Sequence, residues 1–391
     1  MEMKQVYTIV NGITKELLGE TAVVAEDLSN VVDIGKAIFD NASYDKYVRT
    51  LIDHVGRVVF VDRQYTGGMA SLYRDSWEYG AVMEKVYGLK LPEAVENESW
   101  ELTDGASYDP NVFHKPEVAA KFFNKRTTFD LELSIADKQA KSAFSSAQQL
   151  NGFVTMLRND IDKSLTVKQE GLAGRTINNL IASTIAAEFP SVVDNDYSNV
   201  SGVKAVNLLK LYNTTFSQSL TKANCIYSSE FIRFATFVMV RTLRRMKKIN
   251  SLYNIGGLAR FTPASLNHLV LLSDFKSAAD IYLQSDTFHD DYTRLPMAED
   301  VPYWQGVGTA YDDTSIMTIH AEVENGDSTK EIKIEGVLGV AFDHDAAGIT
   351  NLDKRVTTNY NAKAEFTNWF YKVDCGYFND FNEQCVVFFI A

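Results

Sequence analysis

One short stretch, FDHDAAGIT, carries residues that could bind a metal ion. Asp343, Asp345 and Gly348 resemble the start of a calcium-binding loop, in which alternate side-chain oxygens bind the cation and a glycine makes the turn. Ala347 occupies the position that should supply the third ligand, and no acidic residue closes the loop at the required distance. We therefore interpret this stretch as a surface turn after a strand, with His344 turned outward to solvent.

The other histidines and carboxylate pairs form no catalytic pattern. Five further histidines are scattered along the chain, among them His54, His114, His268 and His320. The pairs Asp290–Asp291 and Asp312–Asp313 could serve a glycosidase, which uses two carboxylates. However, a chain with 51 acidic residues contains such pairs by chance. We therefore predict no catalytic, cofactor-binding or metal-binding residues, and a protein that is not an enzyme.

Sequence motifs for nucleotide binding and hydrolysis are also missing. The P-loop pattern, a G-x-G-x-x-G after a strand, the G-x-S-x-G nucleophile elbow and H-E-x-x-H do not occur. The segment GLAGRT has two glycines, but it lies inside a helical pattern, where a phosphate-binding role is not expected. A chain of this length and hydrophobic content without a recognisable catalytic or ligand-binding site is typical of a structural protein, which acts through the contacts of its surface with other molecules.

The composition narrows the choice of partners. The 391 residues are 46% hydrophobic and 12% aromatic, which excludes a disordered chain, and the net charge is −13. A broad phosphate-binding surface requires a basic patch. The dense basic run, RTLRRMKK at 241–248, is interpreted as the solvated face of a helix. We therefore expect at most weak, non-specific contact with DNA.

Three features of the sequence point to synthesis in the cytoplasm and no membrane insertion. Three cysteines without metal spacing, Cys225, Cys375 and Cys385, suit free buried thiols in a reducing compartment. The first residues lack the basic and apolar regions of a signal peptide. No apolar stretch approaches the roughly 20 residues of a membrane-spanning helix.

Helical periodicity predicts several helices. A helix over 43–55 should end at Gly56 and lead into a strand. One apolar stripe runs from Ala147 to Leu165 and resumes at Ile177, which predicts a long helix over 142–188 that Gly171 and Gly174 could bend or break. Further helices are predicted over 203–212, 229–249 and 274–285.

Two predicted strands before the long helix form an unusual arm. They cover 76–88 and 119–135, and in the second strand apolar and polar residues alternate with a period of two. A polar, acidic stretch with three prolines separates them, which predicts a two-stranded ribbon with a loop at its tip. An isolated ribbon of this kind is marginally stable in water, so it should lie on something else, such as another chain.

The C-terminal half contains most of the remaining predicted strands. They are NHLVLL, SIMTIHAEV, KEIKIEGVLGVAF, AEFTNWFYKVDC and EQCVVFFI, whereas residues 290–308 are predicted to be a loop. Cys385 to Ile390 form an unbroken apolar run, which predicts a core strand between strands from earlier in the chain. Long helices mixed with sheets, without strict βαβ alternation, indicate an α+β fold.

The order of several segments resembles the major capsid proteins of tailed double-stranded DNA bacteriophages. The segments are LIDHVGRVVFVDRQYTG, SLYRDSWEYGAVMEKV, SSAQQLNGFVTMLRNDIDKSL, TINNLIA, LVLLSDFKSAADIYLQSDTFH, VPYWQG and the stretch 341–390. The resemblance implies the Hong Kong phage-type capsid fold, with an N-terminal arm, extended β-hairpin loop, long spine helix, and peripheral and axial domains. It implies that residues 1–61 form the N-terminal arm and the start of the peripheral domain, and that residues 62–135 form the extended β-hairpin loop. Residues 136–200 would then form the spine helix and the peripheral domain, and residues 201–345 mainly the axial domain. The closing strands would lie in residues 346–391.

The same resemblance implies the partners. The subunit should assemble with itself into the pentamers and hexamers of an icosahedral head that encloses the phage genome. Only about 40 residues precede the matched region, so we expect a separate scaffolding protein, together with a portal, and no appended decoration domain. Two alternatives stay open at this point: a carbohydrate-active hydrolase, suggested by the many aromatic and acidic residues, and another virion protein such as a portal or tail subunit.

Overall fold

The computed structural model describes residues 70–74, 82–97, 101–136, 147–284, 298–304, 317–325 and 328–391. The chain divides into two compact units, one of 1–67, 126–172 and 351–376, the other of 68–125, 173–350 and 377–391. The helix and strand predicted over 43–60 lie outside the described residues.

The first unit contains a three-stranded sheet. Its strands are β3 (Arg126–Ala136), β10 (Ala347–Asn361) and β11 (Phe366–Asn379), in the order β10-β11-β3. β11 runs antiparallel to β3, with Trp369 opposite Leu133. Phe129, Leu131 and Leu133 are half-buried while the residues between them are exposed, as the period of two predicts. We did not predict β10, because its second half is polar and largely exposed.

The second unit is built on a five-stranded sheet in the order β4-β12-β9-β5-β6. The strands are β4 (Ala205–Asn207), β5 (Asn267–Leu272), β6 (Ala298–Val301), β9 (Val337–Asp343) and β12 (Cys385–Phe389). β12 pairs in parallel with β4 and antiparallel with β9, so the C-terminal strand lies inside the sheet. The prediction of an inserted core strand is confirmed.

The described part of the chain contains five α-helices. They are α1 (Ala147–Glu188), α2 (Leu208–Phe216), α3 (Lys222–Cys225), α4 (Ser229–Met246) and α5 (Ser273–Gln284). The side chain of Asn207 caps α2 by accepting from the Lys210 amide at 3.1 Å, and Ser228 caps α4 by accepting from Phe231. Polar side chains at these positions satisfy amides that a helix start leaves unpaired.

Both faces of the five-stranded sheet are buried. Val386, Phe388 and Ile390 belong to a core that they share with residues of α2, α4 and α5. On the opposite face, the Cys385 thiol lies 3.6 Å from Thr184 of α1, and the Phe389 ring packs edge-on against Phe189 at 6.4 Å. A strand buried on both faces needs apolar residues at every position rather than at alternate ones. This accounts for the unbroken apolar run at the C-terminus.

Several predicted boundaries were wrong. The segment over 203–212 begins as strand β4 and becomes helical only at Leu208, and the predicted loop over 290–308 contains strand β6. The predicted long helix, in contrast, is confirmed, since α1 continues through Gly171 and Gly174 without a break. The strand predicted over 330–342 is split into β8 (Ser328–Ile334) and β9. Gly336 separates them, with a φ of +81° that residues bearing a Cβ rarely adopt.

Candidate assembly surface

A β-hairpin in the second unit presents two different faces. It consists of β1 (Met83–Gly88) and β2 (Val118–Phe123), paired antiparallel with Lys85 opposite Lys121 and Val86 opposite Ala120. Successive residues in a strand point to opposite sides. Tyr87 and Phe123 are therefore buried on what we call the inner face, whereas the outer face is open.

The outer face of the hairpin is exposed and carries apolar side chains beside Glu84. Val86 is 67% exposed, Phe122 62% and Val118 63%. The loop between the strands is also exposed at every described residue, over 89–97 and 101–117. Val95 and Phe113 reach 82% and 84% exposure. Large apolar side chains exposed together on one element are typical of a site for contact with another molecule.

The hairpin is shorter than the ribbon predicted from the sequence. We expected one strand over 119–135, but the structure breaks it after Phe123, and the two parts join different sheets. β2 pairs with β1 in the second unit, whereas β3 pairs with β11 in the first. The carbonyl of Lys125 at the break accepts a hydrogen bond from the Tyr377 amide at 3.1 Å. Unbroken alternation in the sequence does not reveal a change of pairing partner.

The inner face of the hairpin contacts a buried carboxylate. Asp380 has no exposed side-chain surface, and its two oxygens lie 3.3 Å from the Lys85 ammonium and 3.5 Å from that of Lys121. The Tyr87 hydroxyl donates a hydrogen bond to the same carboxylate. Burial, together with this hydrogen bond, raises the pKa of Tyr87, so the phenol stays protonated and acts as the donor. Sequence reasoning missed Asp380, because nothing in the sequence connects it with the two lysines.

The stretch around Asp343 forms a turn between two strands. The Asp343 carboxylate accepts from the Asp345 amide at 2.8 Å and closes the turn between β9 and β10. Within the described part of the chain, no cluster of histidine, cysteine and acidic residues could hold a metal ion. The prediction of a surface position was wrong for most of the turn, since Asp343 and Ala346 are buried and only Asp345 is exposed. Burial raises the pKa of Asp343.

The prediction that His344 turns outward was also wrong. His344 is half-buried, and its Nδ1 lies 3.0 Å from Nε2 of His268 at the start of β5. When one of these nitrogens carries a proton and the other does not, the two rings form a hydrogen bond. When both nitrogens carry a proton, the two N–H groups point at each other and repel. Burial, followed by the charges of His344 and Arg74, lowers the pKa of His268 to about 4. Burial and the Arg74 guanidinium also lower the pKa of His344.

Replacing His268 should make the protein less sensitive to acid. The unfolded chain binds a proton at this residue below about pH 6.5, whereas the folded chain stays unprotonated until about pH 4. The stability contribution of the neutral pair is therefore fully present above about pH 6.5 and is lost as the pH falls towards about 4. Thermal melts at about pH 7 and about pH 4.5 should show a smaller drop for His268→Phe than for the wild type.

The control for this experiment is His114→Phe, because His114 is exposed in the hairpin loop. This variant should keep the acid sensitivity of the wild type. The charged groups that face the pair are present unchanged in both variants, and they are Arg74, Asp343, Asp345 and Lys85. Equal drops for His268→Phe and wild type would show that the pair does not govern the acid response.

Close packing at this turn requires a glycine. A Cβ at Gly348 would lie 2.7 Å from the Phe378 ring and 2.8 Å from Cγ of Arg74. The Arg74 guanidinium donates to the carbonyls of Ser71, at 2.5 Å, and Ala347, at 2.7 Å, and also to that of His344. The absence of a side chain at Gly348 thus leaves room for Arg74, whose hydrogen bonds hold the turn.

Among the residues that the structure describes, the other candidates are not brought together in a site. His320 lies exposed on β7 (Ile319–Asn325) beside Glu331, whereas His54 and the pairs Asp290–Asp291 and Asp312–Asp313 lie outside the described residues. The three cysteines are free and buried. Burial raises the pKa of Cys225 to about 11 and of Cys385 to about 12, which keeps these thiols protonated.

The basic run forms the exposed side of the end of α4, as predicted. Arg244, Arg245, Lys247 and Lys248 are exposed, while Leu243 and the neighbouring Thr242 and Met246 face the core. Among the described helices, none combines the length and the apolar character that crossing a bilayer requires.

Comparison with known proteins identifies the family. A model of the Phi29-like phage major capsid proteins matches residues 10–389. The major capsid protein of Bacillus phage GA-1 is 24% identical over 198 residues, which are 48% of this chain and 39% of that protein, so the match spans well under two-thirds of this relative.

Solved structures similar to this chain include two phage capsids. The capsid structure of Staphylococcus phage Andhra is 11% identical, with 84% of each chain covered and a TM-score of 0.48. That of cyanophage P-SCSP1u is 12% identical, with 85% of this chain and 94% of the other covered and a TM-score of 0.44. The assignment itself depends on the family match, which covers nearly the whole chain.

The family match decides between the interpretations left open by the sequence. The α+β class is confirmed by the mixed helices and sheets, and the resemblance to phage major capsid proteins is confirmed by the family model. The hydrolase alternative and the portal or tail alternative receive no support from the comparisons. This chain belongs to the family of Phi29-like phage major capsid proteins.

Proposed function

We propose that the chain is the subunit of an icosahedral phage head and assembles with itself into pentamers and hexamers around the genome. Its role is structural, which agrees with a family defined by capsid proteins. The observation that best supports self-assembly is the outer face of the hairpin. A surface with Val86 and Phe122 more than half exposed is unfavourable in water and suits contact with a second copy.

The hairpin and its loop correspond to the extended loop of the Hong Kong phage-type capsid fold and lie over an adjacent subunit. Within the 62–135 expected from the sequence, β1, β2 and the loop between them form this element, whereas β3 belongs to another sheet. α1 corresponds to the spine helix, and the five-stranded sheet with α2, α4 and α5 corresponds to the core of the axial domain. These assignments follow from the order of the elements along the chain.

The remaining partners follow from the same function. A separate scaffolding protein guides assembly, a portal occupies one vertex, and the packaged DNA makes weak, non-specific contact with the shell. The net charge of −13 suits this last role, because a broadly basic lining would hold the genome at the wall. The subunit is made in the cytoplasm of the host bacterium and ends in the virion capsid.

The test replaces one residue of the outer face. We expect Phe122→Asp to fold normally but to stay as free subunits, because an aspartate at this position would have to lose its hydration when the face is covered. Phe122→Leu keeps an apolar side chain and is the matched control, which should assemble like the wild type. Each variant is co-expressed with the other head genes of its phage, and sedimentation and electron microscopy give the yield of shells.

Two results would contradict the proposal in different ways. Wild-type shell yields from Phe122→Asp would show that the hairpin face is not an assembly contact. A wild-type chain that forms no shells under any of these conditions would contradict the capsid function itself. Circular dichroism melts of all three proteins establish that the subunits are folded.

A further inference from the structure

The pairing of the hairpin places two positive charges directly opposite each other. Lys85 of β1 and Lys121 of β2 are register partners on the inner face. Like charges at opposed positions of an antiparallel pair are destabilising. The two strands on their own are therefore disfavoured at this point, and a negative charge beside both lysines is needed to stabilise the pairing.

Asp380 supplies that charge from a buried position. Its carboxylate accepts from the Asn382 amide at 3.2 Å, in addition to its contacts with the two lysines and the Tyr87 hydroxyl. A fully buried carboxylate is tolerated only where it is paired and hydrogen-bonded. The hairpin and the carboxylate thus depend on each other: the hairpin provides three of its donors, and the carboxylate holds the lysines together.

Aromatic rings also lie beside the two ammonium groups. The Lys85 Nζ lies 4.7 Å from the centre of the Phe378 ring, and the Lys121 Nζ lies 5.2 Å from that of Phe123 and 5.6 Å from that of Phe381. Cations are attracted to the faces of such rings. Phe378 and Phe381 flank Asp380 in the sequence, so one short segment provides both the carboxylate and two of the rings.

This segment is attached to the five-stranded sheet. The Asp380 amide donates to the carbonyl of Ala346 at 2.6 Å, and β12 begins only five residues later, at Cys385. The Lys85 ammonium also donates to the carbonyl of Asp345, at 2.6 Å, in the turn after β9. The base of the hairpin is therefore joined to the ends of two strands of the five-stranded sheet.

We propose that Asp380 is a positioning residue for assembly: its buried carboxylate joins Lys85 and Lys121 and fixes the hairpin against the sheet, so that the outer face is held ready for a second copy. The role in assembly rests on the proposed function, because the position of the hairpin matters there only if it overlies a neighbour. The anchoring itself concerns the single chain and can be measured without assembly.

The first measurement is hydrogen exchange on dilute, unassembled, full-length subunits. In Asp380→Asn the amides of 83–88 and 118–123 should exchange roughly a hundredfold faster, because two opposed lysines lose their counter-charge. The amides of β5 and β9 should keep their protection. Glu84→Gln is the matched control, since it makes the same change of charge on the exposed outer side of β1 and should exchange like the wild type.

A rescue variant separates charge pairing from a general structural effect. Adding Lys85→Met and Lys121→Met to Asp380→Asn removes the opposed charges and should return hairpin exchange to within roughly tenfold of the wild type. If Asp380→Asn unfolds the whole unit, Tyr87→Phe is measured instead. This variant removes one donor to the carboxylate and keeps both lysines, so we expect several-fold faster exchange at the hairpin. Wild-type exchange at the hairpin in Asp380→Asn, or in Tyr87→Phe where that variant is needed, would overturn the proposal.

Shell formation tests the link to assembly. Co-expressed with the other head genes, Asp380→Asn should give at most roughly a tenth of the wild-type yield of shells, and the rescue variant should recover most of it. Normal shells from Asp380→Asn despite fast hairpin exchange would overturn the positioning role. If the wild-type chain formed no shells, this result would instead contradict the proposed function and therefore the role of Asp380 in assembly. The hydrogen-exchange data would still test whether Asp380 fixes the hairpin against the sheet.

Discussion

Deleting residues 386–391 should make the protein insoluble rather than merely unable to assemble. Val386, Val387, Phe388, Phe389 and Ile390 have no exposed surface, and at 1.5–3 kcal/mol for each side chain their burial contributes about 10 kcal/mol. The deletion also leaves backbone groups of β4 and β9 without partners in the middle of the sheet. The combined loss is comparable with or larger than the 5–15 kcal/mol by which domains are typically stable.

Newly exposed sheet edges would then recruit other chains, and the protein should appear in the pellet after expression. The control is the deletion of residues 101–106, which removes six exposed residues of the hairpin loop and should leave the subunit soluble. A soluble 386–391 deletion that melts cooperatively would mean that the terminal strand is not required for the fold.

Replacing Gly336 by alanine should destabilise the subunit by at least about 3 kcal/mol. The residue has a φ of +81°, and a Cβ there would lie 2.2 Å from the carbonyl oxygen of Ile390. The Gly336 carbonyl accepts from the Ile390 amide at 2.8 Å, so any shift that relieves the clash weakens the contact with the last strand. Denaturant unfolding followed by circular dichroism measures the change.

Gly257 provides a matched control for this substitution. Its φ is +69°, but nothing lies within 4 Å of a Cβ built on it. Gly257→Ala therefore carries only the backbone strain, about 1–2 kcal/mol. A larger loss for Gly336→Ala would measure the close approach of the last strand, whereas equal losses would show that the approach can relax without cost.

The sequence by itself determined those helices and strands that depend only on a residue and its near neighbours in the chain. The helical stripe that resumes at Ile177 continues as α1, the alternation over 127–134 forms β3, and the apolar run at the C-terminus forms a strand buried on both faces. The order of such segments was also sufficient to indicate the family, because a family of structural proteins is defined by the arrangement of its elements and not by a catalytic motif.

Contacts between distant parts of the chain were decided only by the tertiary structure. Asp380 lies 295 residues from Lys85 and 259 from Lys121, and 76 residues separate His268 from His344. The same holds for the division of 119–135 between two sheets, since alternation predicts a strand but not its partner. Each of these features depends on which surfaces come into contact when the chain folds. The free energy of such a contact depends on both surfaces, whereas a single segment of the sequence contains only one of them.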